Sequence, residues 1–562
     1  MRFFCLFLLI PTWSLTLSAQ VSATRLLEYW KQGNYDWVAR EAFQSTDTTG
    51  LARLMGLKSL NRTGRFTDAY QMVRSGTFRF SQTRYETEWW YEAGVAAYQL
   101  MQSADAFRFW MKSYRLTPDS QTGDHIRMLL FTELTVDESV TLLSENTPFP
   151  ADPWLPWLRA LAASSQQLPA VDGWMIRNGL DPASLPATNT ASIPMKKVRI
   201  GVLLPFFENA DSLDGTEEPG REVLRGFLLR LEETIREWGP SVTVIFKDTR
   251  SDPELAAKLA AELISIHRVN LIVGPLFSDE CLAVRDLAIQ HRIPVITPTA
   301  TRDDLFAGSS YLFTMNTTLK TRGRIAAEQV KPLIEEAIRL NKTRSARLLL
   351  VAEEASDAEV MAASFASLVA EVDSAKVTTA LFPADSPDIR RYIPFGREDD
   401  PDTLDFIYAP ASDPEQAELM VSHISYMRIL GNYIVNSAWN TEVIYKKFRV
   451  QTAMTVMVND WAIDTTVADY ARFKADYRSV YGGEPGVLAF RGADGADFTA
   501  WLIRQGIPGH TEPDAALRSL PVFNGFTGPI WFNGQVSNQA IPILRRQNGS
   551  WVPYEPKGLP FH

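Results

Sequence analysis

Val198-Arg199-Ile200-Gly201-Val202-Leu203-Leu204-Pro205 is an apolar run broken only by Arg199, and its place at the head of an alternation of strands and helices decides the architecture. Such a run predicts a buried strand over Val198 to Leu204. Glu222 to Trp238 has helical periodicity, with Val223, Phe227, Leu231 and Ile235 on one face. Ser241 to Phe246 predicts the next strand. Asp252 to Ile266 predicts a helix, because Asp252 suits the N-cap and Pro253 the first turn. Asn270 to Val273 is a third strand turned by Gly274-Pro275; a helix runs on to Gln290, and Pro294 to Thr297 is a fourth strand. Strands alternating with helices imply an α/β fold, a parallel sheet with helices on both faces.

Several motifs then line up in order. Ile200-Gly201-Val202-Leu203-Leu204-Pro205 is followed by Asp248-Thr249-Arg250-Ser251-Asp252-Pro253 and the alanines Ala256, Ala257 and Ala260. Val273-Gly274-Pro275-Leu276-Phe277-Ser278 and Ile293-Pro294-Val295-Ile296-Thr297-Pro298-Thr299-Ala300-Thr301 are two loops of similar design. Later come the strands Arg347 to Val351 and Asp405 to Tyr408, and a strand from Ile434 to Trp439 before Asn440. Phe473, Tyr477, Tyr481-Gly482 and Pro485 precede a closing hairpin, Phe523-Asn524-Gly525-Phe526-Thr527-Gly528 with Trp531-Phe532-Asn533-Gly534. Residues 197–562 thereby resemble the type I periplasmic solute-binding proteins of the leucine/isoleucine/valine-binding kind.

That resemblance implies two lobes, three chain crossings between them and a ligand in the cleft at the carboxyl ends of the strands. The crossings are expected near Asn316 to Thr321, near Asn440 to Val450 and near Pro521 to Gly525. It also implies that a ligand carboxylate sits at the Ser278 loop and the Thr299–Ala300–Thr301 loop, where hydroxyls and a helix N-terminus suit an anion. The bland alternative is that Ser278 and Thr301 cap helices, and Asp303 or Asp304 can cap the next helix. Asp494 is the acid expected for the ligand ammonium. The chain departs from the family by carrying Ala355-Ser356-Asp357 where a Tyr-Gly is common, and Ala493-Asp494-Gly495 where an aromatic precedes the acid. Phe206 to Gly220 is acidic, and reads as a lid over the cleft or as a solvated loop.

Upstream, Thr24 to Gln167 is helical in pattern and rich in Trp and Tyr. Trp90, Gly94, Ala106 and Pro118 fall at tetratricopeptide spacing. Gln32-Gly33-Asn34-Tyr35-Asp36-Trp37-Val38 aligns with Thr63-Gly64-Arg65-Phe66-Thr67-Asp68-Ala69 at an offset of 31 residues, near the usual repeat of about 34. This segment resembles tetratricopeptide repeats, which implies a concave protein-binding surface; a helical cap packing on the next domain is the other reading. Leu168 to Lys196, with Pro169, Pro182, Pro186 and Pro194, reads as a linker.

The first residues read as an export signal. Arg2 precedes the apolar run Phe3 to Ile10, which is too short to span a bilayer, and Ala19 or Ala23 suits cleavage. The expected layout is a signal peptide at 1–19, a helical domain at 24–167, a linker at 168–196 and the two-lobed domain at 197–562, with no transmembrane segment once the signal is removed. Export makes the protein periplasmic. After cleavage Cys281 stands alone and reads as a buried, inert thiol. With 46% apolar and 22% charged residues the composition is globular, and a net charge of -10 speaks against nucleic-acid binding. The 6 histidines show no metal-ligand spacing, and no Walker loop or Gly-x-Ser-x-Gly elbow occurs, so neither an enzyme nor a cofactor is expected.

Two functions are the main candidates. The first is a ligand-binding protein for an amino acid or similar small polar solute, serving an ABC transporter. The second rests on domain order, which resembles the envelope activators of penicillin-binding proteins: a non-transport protein whose repeats and lobes bind protein partners. A sensor whose cleft closure alters the repeat surface is a third.

Overall fold

The computed structural model describes residues 22–45, 47–76, 79–132, 134, 136–145, 168–177, 179, 181–184, 198–206, 219–238, 242–340, 345–373, 375–394, 403–447, 455–459, 461–465, 467–547 and 549–554. The expected signal peptide and most of the acidic 206–220 segment lie outside them. The segment expected as a linker is not irregular where it is described: Leu168–Arg177 is a helix that buries Val171, Trp174 and Met175. The chain divides into two compact units, residues 1–150 and 151–562. Among the described residues no helix is long and apolar enough to cross a membrane.

The described part of the first unit is helical: Ala23–Lys31, Tyr35–Glu41, Leu51–Arg62, Phe66–Ser75, Thr83–Gln99, Ser103–Leu116, Ser120–Thr132 and Val136–Ser144. The two aligned segments occupy equivalent places. Gly33 and Gly64 make the turn at positive φ, and Tyr35 and Phe66 each open a helix. Thr83–Gln99 and Ser103–Leu116 pack closely, because Gly94 leaves room for the Trp110 indole. A Cβ on Gly94 would lie 2.2 Å from Trp110 Nε1, which donates to the Tyr91 carbonyl at 3.1 Å. The second of these helices stops at Leu116, two residues before Pro118.

The second unit carries two sheets built on parallel strands. In the first lobe β1 (Val198–Leu204), β2 (Val242–Asp248), β3 (Leu271–Val273), β4 (Val295–Thr297) and β5 (Leu312–Thr314) run in the order β2-β1-β3-β4-β5, all pairs parallel. Every residue of β1 except Arg199 is buried, as a strand covered on both faces requires. Asp252 caps the helix Pro253–Ser265 by accepting from the amides of Glu254 and Leu255.

The second lobe contains β6 (Ala346–Glu353), β7 (Ala375–Phe382), β8 (Thr403–Tyr408), β9 (Leu430–Val435) and β10 (Thr455–Val458). A small β11–β12 hairpin (Phe523–Gly525, Gly528–Ile530) stands apart, and β13 (Ile543–Gln547) and β14 (Ser550–Pro553) extend the second-lobe sheet antiparallel beyond β10. The sheet order is β14-β13-β10-β9-β8-β6-β7. Alternate residues of one strand feed different cores. Leu349 and Val351 join Ile407, Val435 and Met457 in the core that contains Trp439. Leu348 and Leu350 join Phe406, Ile434 and Val458 beneath the helices Leu319–Leu340 and Asp357–Val369.

The chain crosses between lobes three times. The first crossing, 315–318 between β5 and the helix from Leu319, lies where the sequence places it. The other two come later than expected. The strand expected from Ile434 to Trp439 ends at Val435, and the chain stays in the second lobe for β10. It then returns at 459–464, where the amides of Ala462 and Asp464 bond to the carbonyls of Thr527 and Phe526. The last crossing follows Ser537, which bridges Thr314 of β5, and leads into β13.

Candidate functional site

In a parallel sheet all carboxyl ends share one edge. The first crossing leaves from the carboxyl end of β5 and the second from that of β10, so these edges of both sheets meet at the crossings.

On the first lobe the loops after β3 and β4 are adjacent because their strands pair, Ile272 with Val295 and Val273 with Ile296. Gly274 turns the first loop at φ +91°, and a Cβ there would lie 2.0 Å from the Leu203 carbonyl oxygen. Thr299 Oγ1 donates to the Leu276 carbonyl at 2.6 Å and so ties the second loop to the first. The Ala300 amide donates to Thr297 Oγ1 at 3.3 Å, and the Ala300 carbonyl accepts from Thr314 Oγ1 at 2.8 Å. The carbonyls of Thr299 and Thr301 accept from Asn316 Nδ2 and the Leu319 amide.

Ser278, Thr299, Ala300 and Thr301 are thereby brought to one lip, but in different roles. The Thr299 hydroxyl and the Ala300 amide already donate within the protein. Ser278 and Thr301 are half-buried, and Ser278 is the first residue of the helix Ser278–His291 rather than its cap. The first turn of that helix carries Asp279 and Glu280, and Glu280 Oε2 accepts from the Phe277 amide at 3.3 Å. These two acids reduce its attraction for an anion. Asp303 satisfies a first-turn amide of the next α-helix, Leu319–Leu340: its Oδ2 accepts from the Lys320 amide at 3.0 Å and braces the lip against the crossing. Cys281 is buried beneath, and burial pushes its thiol up to about 12, as an inert cysteine requires.

Asp494 does not join this group. It lies on the helix Val487–Arg504, fully buried, and accepts from the amides of Phe526 (2.6 Å) and Thr527 (2.8 Å) and from the Thr527 hydroxyl. Burial pushes its carboxyl up to about 6, although those donors and Arg491 favour the anion. Its geometry is that of a clamp on the β11–β12 turn, and an ammonium would have to displace three bonds to reach it.

The second-lobe lip is only partly legible in sequence. Ser356 caps the helix Asp357–Val369, accepting from the amides of Ala358 and Glu359, while Ala355 takes a positive φ of 54°. Glu353, the last residue of β6, accepts from Ser412 Oγ at 3.1 Å and from Gln416 Nε2. Asn436 follows β9 and grips the backbone of Ala411, accepting from its amide (3.1 Å) and donating to its carbonyl (2.7 Å). Sequence reasoning passed over Glu353 and Asn436; the signal for each is a polar residue at the end of an apolar strand.

The crossings are fastened by two asparagines. Asn538 donates through Nδ2 to the carbonyls of Met315 and Pro529, and its Oδ1 accepts from the amides of Trp531 and Ala540. Asn316 Oδ1 accepts from the Thr317 amide and from Arg322 Nη2. The Asn459 amide bonds to the Pro542 carbonyl at 3.0 Å, joining the second crossing to the third.

Comparison with known proteins agrees with this architecture. The family described as periplasmic binding protein matches residues 197–545, well over half of the chain. Among solved structures, one described as a putative branched-chain amino acid ABC transporter from Rhodospirillum rubrum is 17% identical with a TM-score of 0.51, covering 64% of this chain and 99% of that one. A branched-chain amino acid transporter substrate binding protein from Streptococcus pneumoniae, in complex with isoleucine, is 22% identical at a TM-score of 0.41, covering 64% of this chain and 100% of its own. A solute binding protein of an ABC transporter from Rhodopseudomonas palustris, in complex with 3,4-dihydroxy benzoic acid, is 18% identical at 0.43, covering 64% and 96%. No curated protein matches the sequence. With its two sheets, three crossings and paired lips, the chain belongs to the periplasmic binding protein family.

Proposed function

We propose that this protein is an extracytoplasmic receptor that closes its two lobes on an amino acid or similar small polar solute and presents it to an ABC transporter. The observation that carries the proposal is the first-lobe lip: two loops locked together by Thr299, leaving the Ser278 and Thr301 side chains half-exposed at the edge where the crossings begin. Hydroxyls beside a helix N-terminus suit a carboxylate. Asp494 is left out of the site because its carboxylate is engaged. The layout that goes with the proposal is a signal peptide at 1–19, a tetratricopeptide-like domain at 24–167, a linker at 168–196 and the binding domain at 197–562. The helical repeats would take a protein partner.

A second reading is favoured by one feature of the same lip. The acids Asp279 and Glu280 in the first turn, together with the occupied donors of Thr299 and Ala300, weaken it as an anion site. That feature fits an envelope interaction protein in which the lobes contact a partner rather than carry a solute.

Titration calorimetry with leucine, isoleucine and polar amino acids separates the two. The receptor reading expects binding that weakens about tenfold, or 1.4 kcal/mol, in Thr301→Ala. Binding that is indifferent to Thr301→Ala and Ser278→Ala would remove the lip from the site.

A further inference from the structure

The helix Ser278–His291 buries Cys281, Val284 and Ala288 in the first lobe, where its neighbours are the helix Pro253–Ser265 and the strands β4 and β5. Its opposite face is open. Leu282 and Ile289 are each 38% exposed there. Seven residues make nearly two helical turns, so these two side chains lie within about 20° of one line along the helix.

Arg285 and Asp286 fall midway between them, about 50° to either side of that line. They carry opposite charges, and the Asp286 side chain is 84% exposed. Among the described residues their only partners are each other: Arg285 Nε donates to Asp286 Oδ1 at 3.2 Å. Successive residues do not face one another on a helix, so this is a weak surface pair. The charges at the two helix ends are instead committed within the chain, Asp279 to Arg302 and Arg292 to Tyr311 and Glu512. An apolar line with a cation on one flank and an anion on the other is complementary to itself. When two such helices lie parallel about a two-fold axis, Leu282 meets Leu282 and Ile289 meets Ile289. On each flank Arg285 of one copy then meets Asp286 of the other.

We propose that this helix face binds a second copy of the chain. The charge arrangement selects that occupant, because a copy presents the opposite sign on both flanks at once. The apolar line is narrow, so the dimer is weak and reversible, as small interfaces are. The helix belongs to the first lobe alone. The pairing therefore leaves the second lobes free to move, and it does not depend on whether the cleft holds a solute.

The test is sedimentation velocity of the full chain over a concentration series, with circular dichroism to check that each variant is folded. A monomer–dimer equilibrium is expected, weakened about tenfold in Leu282→Glu, Arg285→Asp and Asp286→Arg. Each charge variant alone sets like charges against one another on both flanks. An equimolar mixture of Arg285→Asp and Asp286→Arg restores opposite charges on both flanks, and it should dimerise with the affinity of the wild type. Arg285 and Asp286 are surface residues, so the mixture decides the matter even if Leu282→Glu folds poorly. A wild type that stays monomeric throughout, a dimer that folded Leu282→Glu leaves intact, or a mixture that stays monomeric would overturn the proposal.

Discussion

Asp494 shows at a single residue how similarity of motif and similarity of role separate. In sequence it is an acid on a helix at the place where the family holds an ammonium. In the structure its side chain turns inward and holds the backbone of Phe526 and Thr527. Nothing in the string Ala493-Asp494-Gly495 specifies that direction, because it depends on a turn far along the chain. The consequence is a pH dependence. The folded carboxyl is raised to about 6 by burial, above its unfolded value, so the folded state holds more protons between about pH 4 and 6. Stability from this group is therefore present at low pH and lost as pH rises through that window, by up to about 3 kcal/mol. Urea unfolding of wild type and Asp494→Asn at pH 4, 5, 6 and 7 should show the wild type falling relative to the variant as pH increases. A constant difference, or one of opposite slope, contradicts the assignment. Thr299 and Ala300 carry a similar lesson: their position on the lip is legible in sequence, but the engagement of their donors depends on Leu276 and Thr297 and is not.

Among elements, long apolar strands and capped helices are legible because their signals are local. β1 announces itself through seven residues with one charge, and the helix Pro253–Ser265 through Asp252 and Pro253. β10, Thr455–Val458, is passed over in the sequence, and without it the second crossing is expected too early. The strand at Ile434 begins earlier, at Leu430, and ends at Val435 rather than Trp439, where Asn436 ties the chain back to Ala411, a tertiary partner that the sequence does not name. In the helical unit the close packing of two helices rests on one glycine. Gly94→Val would drive a branched side chain into the Trp110 indole, since even a Cβ comes within 2.3 Å of its ring atoms. Overpacking of this kind costs about 1–3 kcal/mol. A lower denaturation midpoint for the helical unit, followed by tryptophan fluorescence, is the expected outcome; an unchanged midpoint would mean the helices separate without cost.

For the whole molecule the decisive feature is that three chain segments, far apart in sequence, are held together between the lobes. Asn538 fastens the third crossing to the first, bonding to Met315, Pro529, Trp531 and Ala540 at once, and the Asn459 amide ties the second to Pro542. Asn538→Ala leaves buried backbone groups without partners, each costing about 1–3 kcal/mol. The loss should appear as a fall in denaturation midpoint larger than that of a surface Asn→Ala, together with broader interlobe distances by small-angle scattering. The order of the sheets and the antiparallel β13–β14 addition are beyond the sequence, because pairing partners are set by the fold as a whole. The resemblance of residues 197–562 to solute-binding proteins is carried by many weak motifs in order, which is why family membership is legible while the ligand is not. The claim that the lobes form a working receptor is tested most directly by thermal unfolding of the protein across a panel of amino acids, each in large excess. A ligand at 100 times its dissociation constant should stabilise the folded state by about 2.7 kcal/mol, and a tenfold weakening in Thr301→Ala should cut that gain to about 1.4 kcal/mol at the same concentration. A folded protein whose unfolding none of the panel displaces would contradict the receptor and leave the lobes as a surface for a protein partner.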